Sequence, residues 1–419
     1  MEAGAGQRRR RVTVFTTDPI GPAMPGPAIR AWNLAYVLAQ YVEVVLASTV
    51  GVAGSHPNAE LRHAYGPDFS RSISEADVIY APSALVYMSS ELRDCAKPVA
   101  VDIYDPYHLE NLERSGISGA GTDDAGADAA GADAAGTGGP GGPGIEEHDA
   151  VVTRLAGVIN VALRRGDFFT CASERQRDFW LGSLSAMGRL NPYNYAQDPL
   201  FYRLVSLVPF GLPSRPPQRK GRGFRGTLPG VAHDDKVVLW GGGVYDWLDP
   251  LAVVRAVDRL KEREPRLRLV FLGMQHPNRD IPRMGVAGEV ERLSSHLGLT
   301  GSHVFFNAAW VPYEERADYL LDADVAVSTH LDHIETRYSF RSRVLDYLWA
   351  SLPMVLTSGD VLAAEVASAG LGMAVAAGDD AALEDAIWRM LAKPPAKSLF
   401  APVASRYTWD AVAQPLVRY

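Results

Sequence analysis

A chain of 419 residues is longer than one ordinary core accommodates, which sets the expectation of two α/β domains. Hydrophobic residues make up 47% and charged residues 21%, the balance of a soluble globular protein. The formal net charge of −8 excludes a nucleic-acid binder, because docking on a phosphate backbone needs a basic field; a local basic patch could still take a small anion.

The basic start, Arg8 to Arg11, precedes an apolar stretch that is short and breaks at Asp18 and Pro19, so it reads as a charged flank rather than a leader. No apolar run approaches the roughly 20 residues that span a bilayer. Val12 to Thr17 is a β-branched run, followed by a Gly- and Pro-rich loop and then a helical pattern through Ile29, Leu34, Val37 and Leu38. Further short apolar runs follow at 42–47, 78–81, 99–103, 168–172 and 204–208. Cys95 and Cys171 stand apart with no CxxC spacing, the usage of a reduced, cytoplasmic protein without a cysteine zinc site. Ser115 to Gly144 is nearly all Gly, Ala, Asp, Thr and Pro and reads as a disordered insertion.

Pro209 to Asp235 is rich in Pro, Gly, Arg and Lys and has no periodicity, a linker composition. The strand rhythm restarts at Val237, with runs at 237–239, 267–272, 304–306, 325–328, 354–356 and 373–376. Short continuous apolar strands separated by helices indicate parallel sheets covered on both faces. The expected organisation is a first doubly wound domain over 1–212, a linker over 213–235, a second over 236–395 and a terminal helix over 396–419, with Trp409, Val412 and Leu416 apolar in the tail.

Open parallel sheets bind ligands beyond the carboxyl ends of their strands, so the loops there are the candidate sites. After the first strand, Gly26 and Pro27 open a helix, where free backbone N–H groups can hold an anion and Arg30 adds charge. The loop is not GxGxxG, and the second strand ends in Ala47-Ser48-Thr49 with no acid for a ribose, which disfavours a nicotinamide-cofactor dehydrogenase. In the second half, Trp240 runs into Gly241, Gly242 and Gly243, three residues that let backbone approach a ligand. The next strand ends in a second glycine loop at Gly273.

The densest constellation is His333-Ile-Glu335-Thr-Arg337-Tyr-Ser-Phe-Arg341-Ser-Arg343-Val-Leu-Asp346. Arg341 and Arg343 fall near a helix N-terminus, against its dipole, which makes sense if an anion such as a pyrophosphate sits between them. Asp346, on the same helix face as Arg343, is placed for ribose hydroxyls. In the first half, Asp102-Ile-Tyr-Asp105-Pro-Tyr-His108-Leu-Glu110 sets a histidine and acids after a strand, and His108 is the group that could act on an acceptor hydroxyl. Asp322-Ala-Asp324 has the form of a DxD metal motif but reads as a helix terminus in an apolar context, and His296 and His303 have no partner at metal-ligand spacing. No metal site is expected.

Asp346-Tyr-Leu-Trp-Ala-Ser-Leu-Pro-Met-Val resembles the acid-Tyr-Leu-Ala-x-Gly-x-Pro-Val-Val signature of the retaining GT-B glycosyltransferases of family 4, with Arg343 where a basic residue often precedes it. The opening Gly-Pro-Ala-Ile-Arg30 resembles that family's first phosphate-side loop. The resemblance implies a GT-B fold, two Rossmann-like domains facing across a cleft that holds the active site. It implies transfer of a sugar from a nucleoside diphosphate sugar, a substrate rather than a cofactor, to an acceptor hydroxyl, with retention and without an obligatory metal. The acceptor could be a small molecule, a glycan or a lipid-linked sugar. Within this frame Glu335 would contact the transferred sugar. The pattern departs from the family in three places: Tyr338 stands eight residues before Asp346 where an acid is usual, Ser351 replaces a glycine, and the loop after Trp240 lacks the usual Arg or Lys. A sugar-nucleotide epimerase or hydrolase, or a silent GT-B binding subunit, are the rival readings.

Overall fold

The computed structural model describes residues 9–113, 145–274, 285–307 and 311–419. The expected insertion, 115–144, lies outside them, as does the second glycine loop beyond Met274. No helix among the described residues is long and apolar enough to cross a membrane.

Two compact units emerge. The first holds the described residues up to Tyr104, Ala156–Pro209 and Trp409–Tyr419; the second holds those from Asp105 to Leu155 and Phe210–Thr408. The helix Tyr107–Glu113 therefore packs within the second unit, against the helix Ile334–Tyr338, although it directly follows a strand of the first. The tail returns to the first unit as short helical turns, Trp409–Val412 and Gln414–Arg418, with Trp409, Val412 and Leu416 buried.

The first unit is built on seven strands: β1 (Arg11–Thr16), β2 (Glu43–Ser48), β3 (Glu60–His63), β4 (Val78–Pro82), β5 (Val99–Asp102), β6 (Phe168–Cys171) and β7 (Val205–Leu207). They lie in the order β3-β2-β1-β4-β5-β6-β7, all parallel. Val14, Leu46, Ile79, Val101 and Phe169 are buried, as β-branched and aromatic residues should be in strands covered on both faces. β3 carries no apolar run. It is an edge strand whose one buried residue is Arg62, held by Glu60 and Glu75.

The second sheet has six strands: β8 (Lys236–Trp240), β9 (Leu267–Phe271), β10 (Val304–Phe306), β11 (Val325–Ser328), β12 (Met354–Thr357) and β13 (Gly372–Val375). Their order is β10-β9-β8-β11-β12-β13, again all parallel. Chain progression reverses between β8 and β11, so the crevice where a doubly wound sheet takes its ligand opens beyond the carboxyl ends of those two strands. One face of the sheet is covered by the helices Pro250–Leu260 and Asp380–Ala392, whose Val253, Val257, Leu260, Ala386 and Ile387 join Trp240, Leu269 and Phe271 in one core.

Between β7 and β8 the chain forms no named strand or helix. It is tied to the second unit by acids at the end of the helix Arg316–Leu320 and beyond: Lys220 and Gly221 donate backbone N–H groups to Asp318, and Arg225 donates its own to Asp322. Arg219 and Arg225 add side-chain bonds to Asp322 and Asp324, at 2.5 and 2.7 Å. Asp322 and Asp324, the pair with the form of a metal motif, thus serve as anchors for this segment.

Candidate functional site

At the crevice of the second sheet, β8 ends in Gly241-Gly242-Gly243, and Gly242 adopts φ +84, a left-handed conformation that glycine enters without strain. A Cβ on Gly241 would stand 2.8 Å from the ring of Tyr347, so that glycine is required by close packing. Tyr347 lies in the helix Arg343–Trp349 and is fully buried. Its hydroxyl accepts from the Gly241 N–H at 2.9 Å and donates to the Val327 carbonyl at 3.1 Å. One side chain thereby pins this helix across the ends of β8 and β11.

That pinning brings Arg343 over the glycine loop. Its Nη2 donates to the Gly243 carbonyl at 2.8 Å, and its guanidinium lies 5.2 Å from the centre of the Trp240 ring. Nη1 is buried and has no hydrogen-bond partner among the described residues, and burial lowers the pKa of the group. A half-buried cation with unused donor capacity at a switch point is placed to receive an anion.

Arg341 is committed differently. Both of its terminal nitrogens bind Glu335, at 2.8 and 2.6 Å, a bidentate pair in which both residues are buried. Arg341 and Arg343, expected to act together on one anion, are thus divided: the first compensates Glu335 and the second faces the glycine loop. Asp346 accepts from Arg316 Nε at 2.9 Å through one carboxylate oxygen and keeps its side chain partly exposed. His333 caps the short helix Ile334–Tyr338, accepting from the Thr336 N–H at Nδ1 and facing the Trp247 carbonyl from Nε2 at 3.2 Å, which puts its proton on Nε2.

The helix Tyr107–Glu113 adds His108 and Glu110 to the second unit. Burial pushes His108 down to about 4, so its imidazole is neutral near pH 7 and a weak base. Glu110 is raised well above the usual carboxylate range by burial first, then by Asp105 and Glu335, with Arg341 opposing. The Glu335–Arg341 pair therefore sits amid further acids.

Two residues that the sequence reading did not single out lie at the same sheet edge. His330 follows β11 and Asp360 follows β12, both about 1% exposed, with His330 Nε2 and Asp360 Oδ2 3.8 Å apart. Neither of these two atoms has a hydrogen-bond partner among the described residues. Burial, then Arg341, pushes His330 down to about 4, and burial raises Asp360. Their position just past apolar strands was the available signal.

Of the two first-unit candidates, Arg30 is the one committed to internal bonds. Gly26 opens the helix Gly26–Leu38 with open space where a side chain would be, so nothing there demands glycine. Arg30, expected to lend charge to an anion site, instead spends its guanidinium internally. It binds both oxygens of Asp102, at 2.7 and 3.1 Å, and the carbonyls of Val208 and Pro209, at 2.7 and 3.0 Å. The physical reason is depth: at 4% exposure the cation needs a full set of internal partners.

The family model described as Glycosyl transferases group 1 matches residues 235–393, the stretch that carries the glycine loop, Glu335, Arg341, Arg343 and Asp346. Among solved structures the chain is similar to sucrose-phosphate synthase from Thermosynechococcus elongatus, with a TM-score of 0.67 and 16% identity over 98% of each chain. It is also similar to Anabaena HepE in complex with UDP-glucose, with a TM-score of 0.65 and 12% identity over 97% of this chain and 98% of that one. A third similar structure is WaaG, a glycosyltransferase involved in lipopolysaccharide biosynthesis, with a TM-score of 0.59 and 15% identity over 97% of each chain. The fold is GT-B. No curated protein sequence matches the chain. In GT-B terms the second unit carries the group 1 match, and Arg343 is the cation with unused hydrogen-bonding capacity beside its glycine loop.

Proposed function

We propose that this chain is a glycosyltransferase that moves a sugar from a nucleoside diphosphate sugar to an acceptor hydroxyl, with retention of configuration and without a metal. The observation that carries the reading is Arg343, whose unpartnered Nη1 lies beside Gly241–Gly243 within the segment that matches group 1 glycosyl transferases. HepE, similar in fold, was solved with UDP-glucose, which supports the same class of substrate here.

In this reading Arg343 and the close-approaching backbone at Gly242 and Gly243 neutralise the leaving diphosphate, and stabilising that charge is the main catalytic contribution. The second carboxylate oxygen of Asp346 takes ribose hydroxyls. Arg341 holds both carboxylate oxygens of Glu335 and orients it toward the transferred sugar. His108, neutral and weakly basic, orients the acceptor rather than deprotonating it. The first unit selects the acceptor.

Calorimetric titration with a panel of UDP-, GDP- and ADP-sugars tests the proposal. Arg343→Ala should weaken the best ligand by about 10- to 100-fold, the worth of a charge-assisted hydrogen bond. Wild-type affinity in that variant would remove the diphosphate assignment. The anomeric configuration of the product, read by NMR, and turnover in the presence of EDTA test retention and metal independence. Nucleotide release that needs no acceptor would point to hydrolysis instead.

A further inference from the structure

A second cavity lies in the first unit, at the amino ends of β6 and β7, the sheet edge opposite the one where doubly wound folds bind their ligands. Its volume is about 850 Å³, within the range of small-ligand sites. Phe201, Tyr202 and Tyr419 line it together with Gln197, Arg203 and Arg418.

The aromatic rings are held rigidly. Tyr202 has the Arg177 guanidinium 3.8 Å from the centre of its ring, and its hydroxyl donates to Glu174 at 2.8 Å. Tyr419 stacks on buried Phe168 with ring centres 4.5 Å apart and planes 11° from parallel. Each ring is thus backed on one face, yet each residue remains 40% exposed. The turn that carries Tyr202 is also fixed in advance. Asp198 accepts backbone N–H groups from Leu200 and Arg203 at 3.0 and 2.9 Å, and Phe201 is held at φ 58, a conformation that L residues seldom adopt.

Planar polar groups complete the lining. Arg203 and Arg418 form no ion pair among the described residues, and the Gln197 amide makes no hydrogen bond there. The two acids of the lining are engaged elsewhere: Asp198 accepts backbone N–H groups, and Asp167 pairs with Arg165 at 3.0 Å and accepts from the Val99 N–H. Backed aromatic faces suit the C–H faces of sugar rings, planar amide and guanidinium groups suit hydroxyls, and two cations without an ion-pair partner among the described residues suit carboxylates.

We propose that this cavity is a second carbohydrate site, separate from the nucleotide-sugar crevice, that binds a glycan carrying uronic-acid carboxylates. It rests on the first unit alone and stands or falls independently of the transferase reading. Affinity electrophoresis of the full chain through gels containing polygalacturonate or dextran tests it, with Tyr202→Ala, Tyr419→Ala and Arg203→Gln beside the wild type. Arg203 is on the surface, so its variant stays informative where a tyrosine variant fails to fold. The expected result is retention by polygalacturonate that each substitution weakens about tenfold. Retention by neither polymer, retention by dextran alone, or retention that ignores the tyrosines and disappears with salt would overturn it. A dimer in sedimentation velocity that the same substitutions dissolve would also overturn it, because the rings would then belong to an interface between copies.

Discussion

Ser351 follows the helix Arg343–Trp349 with φ +52, in the left-handed region that glycine enters freely and serine does not. The backbone turns here so that Leu352 N–H can bond the Tyr347 carbonyl at 2.9 Å and the chain can enter β12, which gives a physical reason for glycine at this place in the family signature. Ser351→Gly should stabilise the second unit by about 0.5–1 kcal/mol, the relieved strain less the added freedom of the unfolded chain. Urea denaturation checks it, and an unchanged or lowered midpoint would mean the serine is not strained. The same scale shows how far the site could be read in advance. Arg343 stood out in the sequence because a cation near a helix N-terminus opposes the dipole; that it lies over the glycine loop, 100 residues away along the chain, was not readable there. The division of labour between Arg341 and Arg343 was not, because it depends on the short helix Ile334–Tyr338 placing Glu335 opposite Arg341, a three-dimensional fact with no spacing rule behind it. Arg30 misled for a related reason: its partners, Asp102, Val208 and Pro209, are remote in sequence.

One helix carries the crevice, and one hydroxyl fixes that helix to the sheet. Tyr347→Phe keeps the packed ring but leaves the Gly241 N–H and the Val327 carbonyl without their shared partner. Unsatisfied buried groups cost about 1–3 kcal/mol, so a stability loss of that size is expected, together with weaker nucleotide-sugar binding as Arg343 loses its fixed register over the loop. Denaturation and calorimetry on the same preparation separate the two effects; lost stability with unchanged affinity would show that the helix does not need this pin to present Arg343. Most elements were readable because an apolar run buried on both faces must be hydrophobic throughout, as in Val237-Val-Leu-Trp240. β3 was not, since Glu60-Leu-Arg-His63 at a sheet edge satisfies its charges with Glu75 and needs no apolar pattern.

At the scale of the molecule, the second unit stores neutral histidines in a scaffold of buried ions. His108 and His330 both have folded pKa values pushed down to about 4, against about 6.5 in an unfolded chain. Below about pH 6.5 the unfolded state takes up protons that the folded state refuses, so their contribution to stability is complete above that pH and is lost as pH falls toward 4. Each should cost about 2 kcal/mol between pH 7 and pH 4.5. Glu110 and Asp360 act in the opposite sense, because their raised folded values let the native state bind protons before the unfolded chain does. The two effects meet at one place, where His330 and Asp360 face each other across 3.8 Å and a proton taken up by the pair would let them bond directly. His330→Gln should therefore flatten the acid limb of the stability profile by up to that 2 kcal/mol, and by less if Asp360 already offsets it. Urea midpoints for wild type and variant at several pH values measure the difference in slope, which is independent of any uniform loss from the altered packing. Parallel profiles would show that His330 carries the same proton occupancy folded and unfolded, and that the buried pair does not couple to acid.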